Sequence, residues 1–113
     1  MHEVGIMHST LAHAEEQARA AGATTIHSLR MRVGGMSGVV AEALRFAFEA
    51  LSAESMAAGA TLEIETVVPA CWCPHCQAEF EVDDFVFLCP RCQHPCSELR
   101  RGRELELASL EIS

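Results

Sequence analysis

The sequence predicts an α+β fold: a small mixed β-sheet with two helices in the order β-α-β-α-β, an inserted cysteine module, and a final strand returning to the sheet. Three observations carry this prediction. Two Ala-rich segments are spaced like helices, alternating apolar segments lie between them, and two Cys-x2-Cys pairs fall between Pro69 and Gly102.

His2 to Met7 alternates loosely, with Val4 and Ile6 sharing a face, and reads as a short first strand. Ser9 is placed to cap a helix from Thr10 to Ala21, which Gly22 stops. Thr24 to Val33 reads as a second strand. Leu29, Met31 and Val33 face one way, and Ser28, Arg30 and Arg32 the other. Gly34-Gly35 ends it. Ser37 then precedes a stronger helix over Val39 to Ala53, where Val40, Leu44, Ala47, Phe48 and Leu51 recur at helical spacing. Gly59 closes that region, and Leu62, Ile64 and Val68 mark a third strand. Arg103 to Ile112 is the returning strand. Its apolar phase changes between Leu107 and Leu110, which calls for a bulge. Residues 1–69 with 101–113 form one expected domain, and residues 70–100 the insertion.

At 113 residues, half of them apolar, the chain can bury a core. Sixteen acidic residues against eight arginines give a net charge of −8, which argues against nucleic acid as a partner. No apolar run approaches the roughly 20 residues of a membrane span. The start lacks the basic flank and apolar run of a secretion signal, so a cytoplasmic protein is expected. In that compartment six cysteines point to metal ligation rather than disulfides.

Cys73-x2-Cys76 and Cys89-x2-Cys92 are separated by twelve residues. Each turn aims two sulfurs at one point, and the intervening residues suit a hairpin with Asp83-Asp84 at its turn. Phe80, Val82, Phe85 and Phe87 are expected to pack along it. Zn²⁺ accepts four thiolates tetrahedrally and leaves no open position. The insertion is therefore expected to be a zinc-ribbon module with structural zinc on Cys73, Cys76, Cys89 and Cys92. Iron is the rival metal, as in a small rubredoxin-like protein. Cys71 and Cys96 are left over: ligands in exchange, ligands to a second ion, or free thiols. His75 and His94, beside the knuckles, read as loop histidines. His8, His13 and His27 read as surface or satisfied ones.

The opening Met1-His2-Glu3 has a different chemistry. The α-amine of Met1, the amide nitrogen of His2 and its imidazole can chelate one ion in adjoining small rings. Nickel(II) and copper(II) tolerate such planar nitrogen donation, and zinc fits it poorly. Glu3 can add its backbone nitrogen or its carboxylate. No constellation for catalysis stands out: there is no phosphate-binding glycine loop, and Glu15-Glu16 reads as a solvated pair.

The chain resembles the hydrogenase maturation nickel metallochaperones (the HypA/HybF family) over essentially its whole length. The resemblance is carried by Met1-His2-Glu3, the segments from Val33 to Val39 and from Glu42 to Glu49, Gly59-Ala60 leading to Leu62-Glu63-Ile64-Glu65, both knuckles with Phe87 to Cys92, and Gly102 to Leu105. It implies a carrier that is not an enzyme and that delivers Ni(II) as cargo during maturation of nickel–iron hydrogenase, and in some organisms urease. It implies His2 as the essential nickel ligand, Glu3 in support, and zinc on the four knuckle cysteines. The implied partners are a nickel-handling maturation GTPase and the hydrogenase large-subunit precursor. A second copy of the chain is a further candidate. Gln77 and Gln93 depart from the glycines common after the knuckles, and Cys71 and Cys96 are additional. Without a nickel role, the alternatives are a zinc-ribbon interaction module or the rubredoxin-like iron protein.

Overall fold

The computed structural model describes residues 2–113. Its elements are α1 (His2–Ala20), β1 (Ile26–Gly34), α2 (Ala41–Ser52), β2 (Thr61–Val67), β3 (Ala70–Cys73), β4 (Ala78–Glu81), β5 (Glu98–Arg101) and β6 (Leu105–Ile112). They build two three-stranded sheets, ordered β2-β1-β6 and β4-β3-β5. The α+β class, the two helices and the returning last strand are all present.

The first strand is not. Residues 2–7 are the opening turns of α1, and Ser9 lies inside that helix rather than capping it. The reason is a stripe at helical spacing: Glu3, Met7, Leu11, Ala14 and Ala18 are the buried residues of α1. Val4 and Ile6 lie off this stripe, and two residues are too few to define a period of two. His8 is thus a helical, exposed residue rather than a strand end.

β1 is the central strand of the larger sheet, parallel to β2 and antiparallel to β6. Leu29, Met31 and Val33 are buried beneath the helices, as their alternation requires. The expected bulge is present: Arg30 pairs with Ser109 and Met31 with Leu107, leaving Ala108 unopposed. The core of this half joins Met7, Leu11, Leu29, Met31, Leu44, Phe48 and Leu62.

α2 begins two residues later than expected, at Ala41. Ser37 Oγ accepts the Val39 amide at 3.2 Å instead of capping the helix. Strand β2 ends at Val67, so Val68 lies beyond it and is exposed.

The smaller sheet has its own core of Cys71, Cys73, Phe80, Val82 and Cys89. Phe85 does not join it and is 71% exposed. It occupies the hairpin turn with Asp84, both residues being left-handed at φ 60° and 51°. The Val86 amide closes the turn on Asp83 O at 3.0 Å.

The halves meet where Gly34, Pro69 and Gly102 touch. A Cβ on Gly34 would strike the Gly102 carbonyl, and one on Gly102 would lie 2.8 Å from Pro69 Cβ. Backbone bonds seal the junction: Gly34 N–H to Glu104 O at 2.7 Å, Met36 N–H to Gly102 O at 2.6 Å, and Val82 N–H to Pro69 O at 2.9 Å.

Candidate metal centres

β3 delivers Cys73 from its end into a tight turn, where the Cys76 amide donates to Cys73 Sγ at 3.4 Å. The second knuckle closes through Gln93 N–H to Cys89 O at 2.8 Å and Cys89 N–H to His94 O at 2.9 Å. Gln77 and Gln93, each directly after a knuckle, have left-handed backbones at φ 51° and 66°.

The result is one cluster. The sulfurs of Cys73, Cys76, Cys89 and Cys92 all lie within 4.8 Å of one another. Cys73 Sγ is 3.5 Å from Cys92 Sγ, and Cys76 Sγ is 3.9 Å from Cys89 Sγ. A tetrahedron with ~2.3 Å metal–sulfur bonds has edges of roughly 3.8 Å, so the cluster fits a four-coordinate thiophilic ion. Cys73 and Cys89 are buried, Cys76 is half-buried and Cys92 exposed.

Crowding splits the acidities. The Cys92 sulfur and then burial push the Cys76 thiol up to about 12. Burial opposes ionisation of Cys89, but the amides of Cys92 and Arg91, with the Cys73 and Cys92 sulfurs, together outweigh it and bring that thiol down to about 7. At Cys92 the His94 amide favours the thiolate, yet burial and the Cys73 sulfur leave it raised. Four thiolates together require a cation among them, which couples metal binding to proton release.

The leftover cysteines are not ligands. Cys71 and Cys96 are joined as a disulfide, with Cα atoms 5.5 Å apart. Alternation along β3 puts Cys71 on the same face as Cys73. Antiparallel pairing of Cys71 with Leu99 and the bond from Cys96 N–H to Phe87 O bring Cys96 across from it. The expectation of metal ligation in place of disulfides therefore fails for these two. His75 and His94 also stand apart from the four sulfurs. Their rings lie 4.9 Å apart, and His94 Nδ1 is bonded to Pro95 O.

At the other end, His2 and Glu3 open α1. Met1 lies outside the described residues, so its amine as a ligand does too. The His2 side chain is 65% exposed, with Nε2 3.7 Å from Glu3 Oε2. Opening amides of a helix have no intrahelical acceptor, and the Glu3 amide turns instead to its own carboxylate. The Glu3 carboxylate is buried and accepts the Val40 amide, at the start of α2, at 3.3 Å. That bond holds its pKa below the usual carboxylate value, and the Glu3 amide and then His2 lower it further. Glu15 does the same at the other end of α2, accepting the Met56 amide at 3.0 Å. The sequence offered no local signal for either anchor, because each partner is about forty residues away. His13 lies exposed on α1, and His27 Nε2 is bonded to Ser113 Oγ at 2.7 Å.

A family model described as hydrogenase/urease nickel incorporation, metallochaperone, hypA matches residues 1–112. A Picosynechococcus protein named hydrogenase maturation factor HypA is 46% identical over 112 residues, 99% of each chain. One of the same name from Chloroflexus aurantiacus is 43% identical over 98% of each. The solution structure of the Ni metallochaperone HypA from Helicobacter pylori superposes with a TM-score of 0.66 at 25% identity, over 97% of this chain and 96% of that one. A second solution structure, of HypA protein, gives 0.70 at 27% identity over 100% and 97%.

Proposed function

We infer that this chain, which belongs to the HypA family of metallochaperones for nickel incorporation into hydrogenase and urease, carries Ni(II) on its amino-terminal tip and a structural zinc in its cysteine module. The carrying observation is the contrast between the two places. The four sulfurs close around one point and leave no position free. The tip is exposed at His2, where an ion stays within reach of other ligands.

A carrier must release its cargo, and release by ligand exchange needs an open coordination position. The tip has one and the module does not. His2 binds nickel through its imidazole, Met1 through its amine and Glu3 through its backbone nitrogen. Zinc on Cys73, Cys76, Cys89 and Cys92 holds a module whose own core is small. Roles divide accordingly, residues 1–69 with 101–113 handling nickel and residues 70–100 zinc. Two separate hydrophobic clusters support that division. The receiving partners are a nickel-handling maturation GTPase and the hydrogenase large-subunit precursor, met in the cytoplasm. No described helix is long and apolar enough to cross a membrane.

The test is calorimetry on protein with its native terminus. His2→Ala abolishes tight nickel binding and leaves one zinc per chain, while Cys73→Ser loses the zinc and keeps nickel uptake. Unchanged nickel affinity in His2→Ala refutes the tip. Visible iron–thiolate colour in purified protein refutes zinc.

A further inference from the structure

Cys71–Cys96 lies on the same face of β3 as the four-sulfur cluster but encloses it in sequence. The disulfide closes residues 71 to 96, and the four knuckle cysteines all fall inside that loop. The two cross-links are nested. With a metal bound, residues 73 to 92 are already tied, and the disulfide restrains only the short flanks. Without a metal it is the one covalent tie across the module.

The two sulfurs differ in access. Cys71 is fully buried in the small core, against Cys73, Phe80 and Val82. Cys96 is half-buried and lines an open cavity of about 380 Å³ with Met36, Phe87, Leu99 and Arg103. An attacking thiolate therefore reaches Cys96 Sγ from the cavity and must expel Cys71 Sγ into the core. The two ends of the bond are therefore not equivalent in exchange, the enclosed sulfur being the one expelled.

We propose that Cys71–Cys96 is a redox-active staple that keeps the module folded when its metal is absent, and that dithiols open it through Cys96. It rests on the reading of the cysteine module as a metal site. One thiolate of the dithiol attacks Cys96 Sγ, forming a mixed disulfide and releasing Cys71, which takes up a proton. The second thiol of the reagent then displaces Cys96 and closes the reagent's own disulfide. The protein gains two electrons and two protons, and the dithiol loses them. A monothiol is turned back, because the released Cys71 thiol lies beside the mixed disulfide, re-attacks Cys96 Sγ and expels the monothiol, restoring the staple. An emptied module that stays folded can be reloaded, whereas a reduced and emptied one must refold first.

Trp72, the single tryptophan of the chain, reports on this directly. It sits in β3 between Cys71 and Cys73, with the Arg100 guanidinium 4.6 Å over its ring. Protein freed of metal by chelation without oxygen is compared in the oxidised form and after dithiol reduction. The oxidised form keeps the Trp72 emission of the metal-bound protein. The reduced form shifts to the emission of denatured chain. Closing a loop of this length changes the module's folding equilibrium on the order of 10²- to 10³-fold. Cys71→Ala/Cys96→Ala matches the reduced parent, and equimolar monothiol leaves the oxidised emission in place. Identical emission of the oxidised and reduced metal-free forms overturns the proposal. So does alkylation of six thiols rather than four in denatured, unreduced protein. Both arms are metal-free, so the comparison reads the staple whatever ion the four thiols take. Zinc uptake by parent and Cys73→Ser, measured separately, tests the site itself.

Discussion

At Gln77 and Gln93 a side chain sits where the backbone is left-handed. Cβ crowding makes that conformation unfavourable for all but glycine by roughly 1–2 kcal/mol. Glycine forfeits part of the gain through its larger unfolded entropy. Gln77→Gly and Gln93→Gly are therefore each expected to stabilise the metal-bound module by up to ~1 kcal/mol, and a β-branched residue there to weaken it. Chelator competition for the module's metal measures both. These two positions were legible as departures in the sequence. The cross-link between Cys71 and Cys96 was not, because pairing depends on strands that meet only in three dimensions. The knuckle cysteines were legible because a turn of four residues fixes its own geometry.

At the level of strands, Arg32 on β1 reaches both neighbours. It bonds Glu65 of β2 at 2.8 Å and Glu106 of β6 at 3.2 Å. Arg30 bonds Glu63 of β2 at 2.9 Å in the same way. The Arg32 bond holds the Glu65 pKa below its usual value. A depressed carboxylate contributes stability above its unfolded pKa and loses it as the pH falls through the folded one. Acidification below the ordinary carboxylate range should thus weaken the sheet, and Arg32→Met should flatten that dependence. Urea midpoints at neutral pH and near pH 3, compared between parent and variant, show whether it does. The strand alternation that places these arginines outward was plain in the sequence, as was the bulge at Ala108. The opening of α1 defeats the strand reading because its apolar stripe spans whole helical turns, Met7, Leu11, Ala14 and Ala18, while that reading rests on Val4 and Ile6 alone.

Across the molecule, the two halves are joined by close backbone contact rather than by a loose tether. Gly34 and Gly102 have no room for a Cβ, and Gly102 is left-handed at φ 126°. Gly102→Ala should cost about 1–3 kcal/mol by overpacking the junction. Thermal unfolding of the zinc-loaded protein checks this. A variant as stable as the parent would mean that the halves are not rigidly joined. The sequence marked Pro69 and Gly102 as boundaries, but only packing makes them a seal.

The Glu3–Val40 contact brings two helix beginnings to one spot, since Glu3 lies in the first turn of α1 and Val40 at the head of α2. Each such end carries about half a positive charge. The buried Glu3 carboxylate, one negative charge, is enough to offset both. Without that carboxylate, a cation approaching the spot would meet two like partial charges. Neutralised in this way, the spot sets no electrostatic barrier to a cation arriving or leaving.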